Sequence, residues 1–137
     1  MSNAKSIRNK PIDVKIGDET YKIRFTLNSF IELEDIYGSI NEAMDALKGK
    51  PVIDKKTGKV EQMDDPDNKG KKMDKVMPNF KAVRDIFWTG LIAEHKDITK
   101  EDVGNILTME NITEVMPKIN EALLNAFPEK VGEDEKN

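Results

Sequence analysis

The chain has no cysteine, one histidine and one tryptophan in 137 residues, and aromatic residues make up 6% of it. Without cysteine there is no disulfide scaffold, no thiolate metal site and no Cys nucleophile. The single histidine, His95, stands among Glu94, Lys96 and Asp97 without a serine partner. It reads as an exposed residue interacting with a helix C-terminus, because a catalytic site needs nucleophile, base and orienter together. The glycines form neither a phosphate loop nor a dinucleotide fingerprint. No apolar run approaches the length that spans a bilayer, and the polar start does not read as a signal peptide. A net charge of −4, with lysines spread along the chain, argues against a dedicated nucleic-acid binder. Calcium fails on spacing: with Asp65 as first ligand, Lys69 falls fifth and Val76 twelfth, where an EF-hand loop needs oxygen ligands. The expectation is a soluble, intracellular, non-enzymatic chain with no cofactor, metal, membrane span or small-molecule substrate.

Hydrophobic residues make up 37% of the chain and charged residues 35%, so the core has to be economical. The most apolar run is Phe80 to His95, which holds the tryptophan and the histidine. Phe80, Val83, Phe87 and Leu91 recur at helical spacing, with Ile86, Gly90 and Ala93 on the same half of the wheel. Trp88 and Ile92 lie roughly 100° round from that stripe, and Lys81 and Arg84 share their side. A helix apolar on most of its circumference is either covered on two sides by its own chain or keeps one face for a partner.

Around this helix the other elements fall in order. Ile12, Val14 and Ile16 alternate with polar residues, Gly17-Asp18-Glu19 breaks the run, and Tyr21, Ile23, Phe25 and Leu27 alternate again. That pattern predicts a β-hairpin with one apolar face, which needs helices to rest on. Asn28 to Tyr37 predicts a helix capped by Asn28 or Ser29, with Glu32 in capping-box position and Gly38 closing it. Ser39 with Glu42 opens a second helix that ends at Gly49. Lys48 to Lys75 holds nine lysines against six acidic residues, and reads as a mobile charged insertion, with a small exposed hairpin about Lys56-Thr57-Gly58. Pro78 suits the first turn of the central helix, which should run to about Lys96. Thr99 with Asp102 opens a short helix. Asn111 with Glu114 opens the last, with Ile112, Val115, Met116, Ile119, Leu123 and Phe127 on its stripe. Pro117 is either a first-turn proline, which starts that helix nearer Glu114, or a kink.

The predicted fold class is α+β: an N-terminal antiparallel β-hairpin packed on about five α-helices. The expected organisation is a flexible N-terminus (1–11), one domain (12–128) with the mobile insertion at 50–77, and a disordered acidic tail (129–137). The paired acids Glu32/Glu34/Asp35 and Glu101/Asp102 lie on helix starts and polar faces, where dipole complementarity and solubility account for them. What remains is an interaction surface, and Trp88, Ile92, Arg84 and Leu124 are its candidate partner-binding residues.

Ile16-Gly-Asp-Glu-Thr-Tyr-Lys-Ile-Arg-Phe25, then Leu33-Glu34 and Tyr37-Gly38, carry a resemblance. It continues through Phe87-Trp88-Thr-Gly-Leu91, Ile98-Thr-Lys-Glu-Asp-Val103 and the terminal Asn120-Glu-Ala-Leu123. Over roughly residues 12 to 127 the chain resembles the tail assembly chaperones of long-tailed bacteriophages and prophages of Gram-positive hosts, with the Lys50–Lys75 insertion as a departure. The motifs are structural and degenerate. The resemblance implies a non-enzymatic role in the host cytoplasm: holding the long, helical tape measure protein while tail tube subunits polymerise round it. It also implies self-association, the tail tube protein as a further partner, absence from the mature virion and, in many relatives, a longer frameshifted product. It supplies no catalytic residues. The competing classes are a virion tail structural or tail-completion subunit and a small regulatory module of the host.

Overall fold

A Gly17-Asp18 turn folds strand β1 (Ile12–Ile16) back on β2 (Glu19–Ile23), with Ile12 opposite Ile23 and Val14 opposite Tyr21. Gly17 takes φ 64° at this turn, a region that a residue without Cβ enters at no steric cost. Val14 and Ile23 are buried, and Ile12, Ile16 and Tyr21 pack around them. The computed structural model describes residues 9–65 and 67–127. Most of the N-terminus expected to be flexible (1–8) and the whole acidic tail expected at 129–137 lie outside the described residues. The fold is α+β, the hairpin being followed among the described residues by five helices and smaller sheets.

The strand gives way to helix earlier than the alternation of Phe25 and Leu27 suggests. Thr26 caps α1 (Leu27–Tyr37): its hydroxyl accepts from Ser29 N–H, and Ser29 Oγ accepts from Thr26 N–H. The cap is therefore Thr26, not Asn28 or Ser29, and Ser29 fills the reciprocal position expected of Glu32. Leu27, as the first helical residue, is left exposed. Helix α2 (Ile40–Lys48) begins at Ser39, whose hydroxyl accepts from Glu42 N–H as predicted.

Helix α3 (Phe80–Leu91) packs against β2, α1, α2 and the two helices that follow it. Its cap is Asn79, whose Oδ1 accepts from Ala82 N–H. Pro78 thus precedes the cap instead of sitting in the first turn. Ala82, Val83, Asp85, Ile86, Phe87, Thr89, Gly90 and Leu91 are all buried, so the middle of this helix is enclosed by its own chain. Phe80, placed on the apolar stripe by spacing, is 44% exposed because it is the first helical residue and has no preceding turn to lie on.

The helix stops about a turn before Lys96, and Gly90 shows why. Its carbonyl accepts from Arg24 N–H at 2.8 Å, while Glu94 and His95 N–H both turn to Leu91 O. A Cβ at residue 90 would lie 2.8 Å from Ile23 Cγ2 and 2.8 Å from Phe25 Cζ, so the strand end seats directly on the helix backbone. Beside it, Arg24 Nε donates to Glu94 Oε2 at 2.9 Å, and Lys22 N–H donates to His95 Nε2 at 3.0 Å. His95 is therefore an acceptor that ties β2 to the helix end, with its proton on Nδ1.

Helix α4 (Lys100–Ile106) opens at Thr99 as expected, and Thr99 and Asp102 form a capping box there. Helix α5 (Ile112–Ala126) starts at Ile112, not near Glu114, so Pro117 lies inside it. Thr108 and Asn111 exchange reciprocal hydrogen bonds, and Ile112 N–H bonds to Thr108 O, so the turn before α5 is already wound. The proline removes the N–H that Thr113 O would accept; both residues are exposed, where water can serve that carbonyl.

The insertion is an arm of hydrogen-bonded strands. Its stem pairs β3 (Lys50–Pro51) with β6 (Val76–Met77), and its far branch pairs β4 (Gln62–Asp64) with β5 (Lys72–Asp74). The hairpin expected about Lys56-Thr57-Gly58 is the other branch, with Ile53 bridged to Val60. Where the branches meet the stem, Val52 N–H bonds to Lys75 O, Lys75 N–H to Glu61 O and Glu61 N–H to Val52 O. Three strands thus share one closed ring of bonds. The tips are held by aspartates: Asp54 Oδ1 accepts from Lys56 N–H, and Asp65 accepts from Asp67 N–H and Asn68 Nδ2. Every residue of the four arm strands is exposed.

An arm so built lends the body no buried apolar area. Replacing 50–77 with a short Gly/Ser linker is expected to shift the thermal midpoint by less than about 3 °C. Calorimetry checks this, and a cooperative loss beyond that range contradicts it. Amide exchange in the full chain measures whether the arm has the mobility its composition predicts.

Candidate functional site

The first two turns of α3 hold an ionic group that its apolar neighbours make unusual. Asp85 is fully buried. Arg84 donates through Nε (2.9 Å) and Nη2 (2.7 Å) to Oδ1, Lys81 Nζ donates to Oδ2 at 2.7 Å, and the Tyr37 hydroxyl donates to Oδ2 at 3.3 Å. Burial by itself raises the Asp85 carboxyl, but hydrogen bonds and charge from Lys81 and Arg84 outweigh it and hold it below the usual carboxylate range. Burial, then the Asp85 charge and hydrogen bond, push the Tyr37 hydroxyl up to about 12. The cluster locks α1 to α3 and fixes both cations along one side of α3.

That side borders a groove of about 440 Å³ between α3, α4 and the start of α5. Phe80, Leu107, Met109 and Ile112 give it apolar walls, and Lys81 and Arg84 form a cationic edge. Gly104 of α4 also lines it; a Cβ there would meet Arg84 Cδ at 3.5 Å, so the arginine stem lies along the glycine. Met109 is 71% exposed on the Thr108–Asn111 turn, which its reciprocal hydrogen bonds hold in place. The arrangement is suited to an amphipathic helix: apolar area for its buried face, and guanidinium and ammonium donors for a carboxylate beside it.

The four sequence-predicted residues do not form one surface. Arg84 lines the groove. Trp88, one turn on, is half-buried under the chain that leads into α4: its Nε1 donates to Ile98 O at 3.0 Å, and Lys100 Nζ sits 5.2 Å from the ring centroid. Ile92 is half-buried at the C-cap of α3. Leu124 is 56% exposed but lies about 18 Å along α5 from Ile112, toward the end where Phe127 packs on Phe30 at 5.3 Å. Sequence reasoning missed Asp85 and Met109. The Lys81/Asp85 spacing of i,i+4 was a legible ion-pair signal; nothing in the sequence marked the turn that presents Met109.

Among the described residues no group of three or more His, Asp or Glu is placed to hold a metal ion, and no helix is long and apolar enough to cross a membrane. The chain matches no protein-family model, no curated protein and no solved structure.

The Tyr37–Asp85 bond gives a pH test. A tyrosine whose folded pKa is raised contributes stability that is complete below its unfolded value of about 10 and is lost as pH rises through about 12. The urea midpoint is expected to fall over that window, and Tyr37→Phe to flatten the fall. Tyrosinate absorbance should lose its late-titrating component in the same variant. An unchanged titration would remove the bond from the account.

Proposed function

We propose that the chain is a non-enzymatic assembly chaperone of the phage tail type, which holds helical stretches of a tape measure protein while the tail tube polymerises. It works in the cytoplasm of the bacterial host and is not retained in the finished particle. The observation that carries this reading is the groove: apolar residues exposed on a highly charged body, beside two fixed cations. A helix-holding protein needs apolar area at modest density, so that it binds a partner without aggregating itself. The resemblance to tail assembly chaperones supports the same reading; its motifs lie in the hairpin, α1, the second half of α3, the start of α4 and the end of α5, outside the residues that line the groove.

Met109→Glu tests it, because an exposed turn residue can change without disturbing the core. With fragments of the tape measure protein from the same genome co-expressed, this variant should weaken complex formation at least about tenfold while circular dichroism stays that of the parent. Leu124→Glu, far along α5, serves as the comparator and should bind as the parent does. The sole tryptophan, one turn from Arg84, reports binding through its fluorescence. Undiminished binding by Met109→Glu would take the groove out of the function. Failure of every tape measure fragment to bind the parent would count against the chaperone reading itself.

A further inference from the structure

Opposite charges are segregated into two neighbouring stretches that the fold holds apart. Helices α1 and α2 carry five carboxylates, and Lys48 at the end of α2 is their one basic residue. The arm that follows, Lys50 to Met77, holds eight lysines against six acidic residues. Within one chain the two do not pair: among the described residues no ion pair joins the arm to either helix, and the Lys48–Asp45 contact at 3.9 Å lies within α2. Lys50, Lys55, Lys56, Lys59, Lys69 and Lys71 form no ion pair among the described residues. Glu32, Glu34, Asp35 and Glu42 likewise form none among the described residues.

The arm also carries more apolar surface than a solvated loop needs. Met63 and Met73 sit directly opposite each other on β4 and β5, and with Ile53, Val76 and Met77 they are exposed. The acidic helices expose Leu27 and Ile31 in turn. Ile53 beside the Lys55-Lys56 turn and Met77 opposite Lys50 on the arm, and Leu27 and Ile31 beside the carboxylates of α1, are complementary surfaces that a single copy leaves unmatched.

We propose that the arm of one copy docks on the α1–α2 face of a second copy. The contact is heterologous, arm to helix face, and it leaves the groove beside Arg84 free. It is independent of the proposed function, because it rests on the charge split and the exposed arm.

Sedimentation velocity on the full chain tests it, from about 10 μM to 1 mM protein and at roughly 50 and 500 mM NaCl. The average mass should rise with concentration at low salt, and the apparent Kd should weaken at least about tenfold at high salt. Two surface variants separate the partners in the contact. Lys55→Glu/Lys56→Glu/Lys59→Glu reverses the arm, and Glu34→Lys/Asp35→Lys/Glu42→Lys reverses the face; all six residues are exposed. Each variant alone should stay monomeric with the parent's circular dichroism, and an equimolar mixture should associate again, since each reversed surface then finds its complement. A parent that is monomeric throughout overturns the proposal. So does a face-reversed variant that associates like the parent, or a mixture that stays monomeric.

Discussion

At Gly90 the end of β2 approaches α3 so closely that no side chain fits between them. The Arg24 amide reaches the Gly90 carbonyl, and Ile23 and Phe25 close over the space a Cβ would fill. A lone two-stranded hairpin is marginal in water, and this seat, with α5 packing on the same strands, makes it part of the core. The same hydrogen bond uses the carbonyl that would continue the helix, so α3 unwinds after Leu91. His95 and Glu94 are then released to bind Lys22 and Arg24. One close approach thus sets the hairpin position, the helix length and the role of the sole histidine.

With its C-terminal half committed to the hairpin, α3 has only its first turns to offer elsewhere. There Asp85 gathers Lys81, Arg84 and Tyr37. A buried carboxylate is costly unless it is paired and hydrogen-bonded, and here both oxygens are served. The consequence is geometric: two long cationic side chains, which on an open surface would sample many rotamers, are fixed along the edge of an apolar groove. Preorganisation of that kind reduces the entropy lost when a partner binds. The arm stands outside this arrangement, packed on itself and opposite in sign to the helices it springs from.

Much of the architecture was legible because periodicity and capping chemistry are local. The alternation of Ile12 to Ile23 gave the hairpin, Thr99 with Asp102 gave the start of α4, and the Lys56-Thr57-Gly58 turn gave one branch of the arm. The misses are of two kinds, local alternatives that periodicity does not rank and contacts between residues distant in sequence. Thr26 took the cap of α1 because Ser29 could reciprocate, and the end of α3 depends on Arg24, far away in sequence. Phe80 fits a helical stripe, yet it lies in the first turn, where the groove opens. The candidate site was legible at Arg84 and at Lys81, which spacing put on the same side of α3. Trp88 was rightly singled out as leaving the main stripe, but its own chain reaches over to accept from its indole.

The seat at Gly90 is tested most directly by giving that residue a methyl group. In an ordinary helix interior Gly→Ala stabilises by about 1 kcal/mol; here Gly90→Ala is expected to lower the unfolding free energy by about 2 kcal/mol or more. Phe25→Leu removes the ring atoms nearest the new methyl group. In that background Gly90→Ala should therefore cost about 1 kcal/mol less, a coupling that equilibrium denaturation of the four proteins in the cycle reads out. A stabilising Gly90→Ala, or strictly additive losses, would contradict the account.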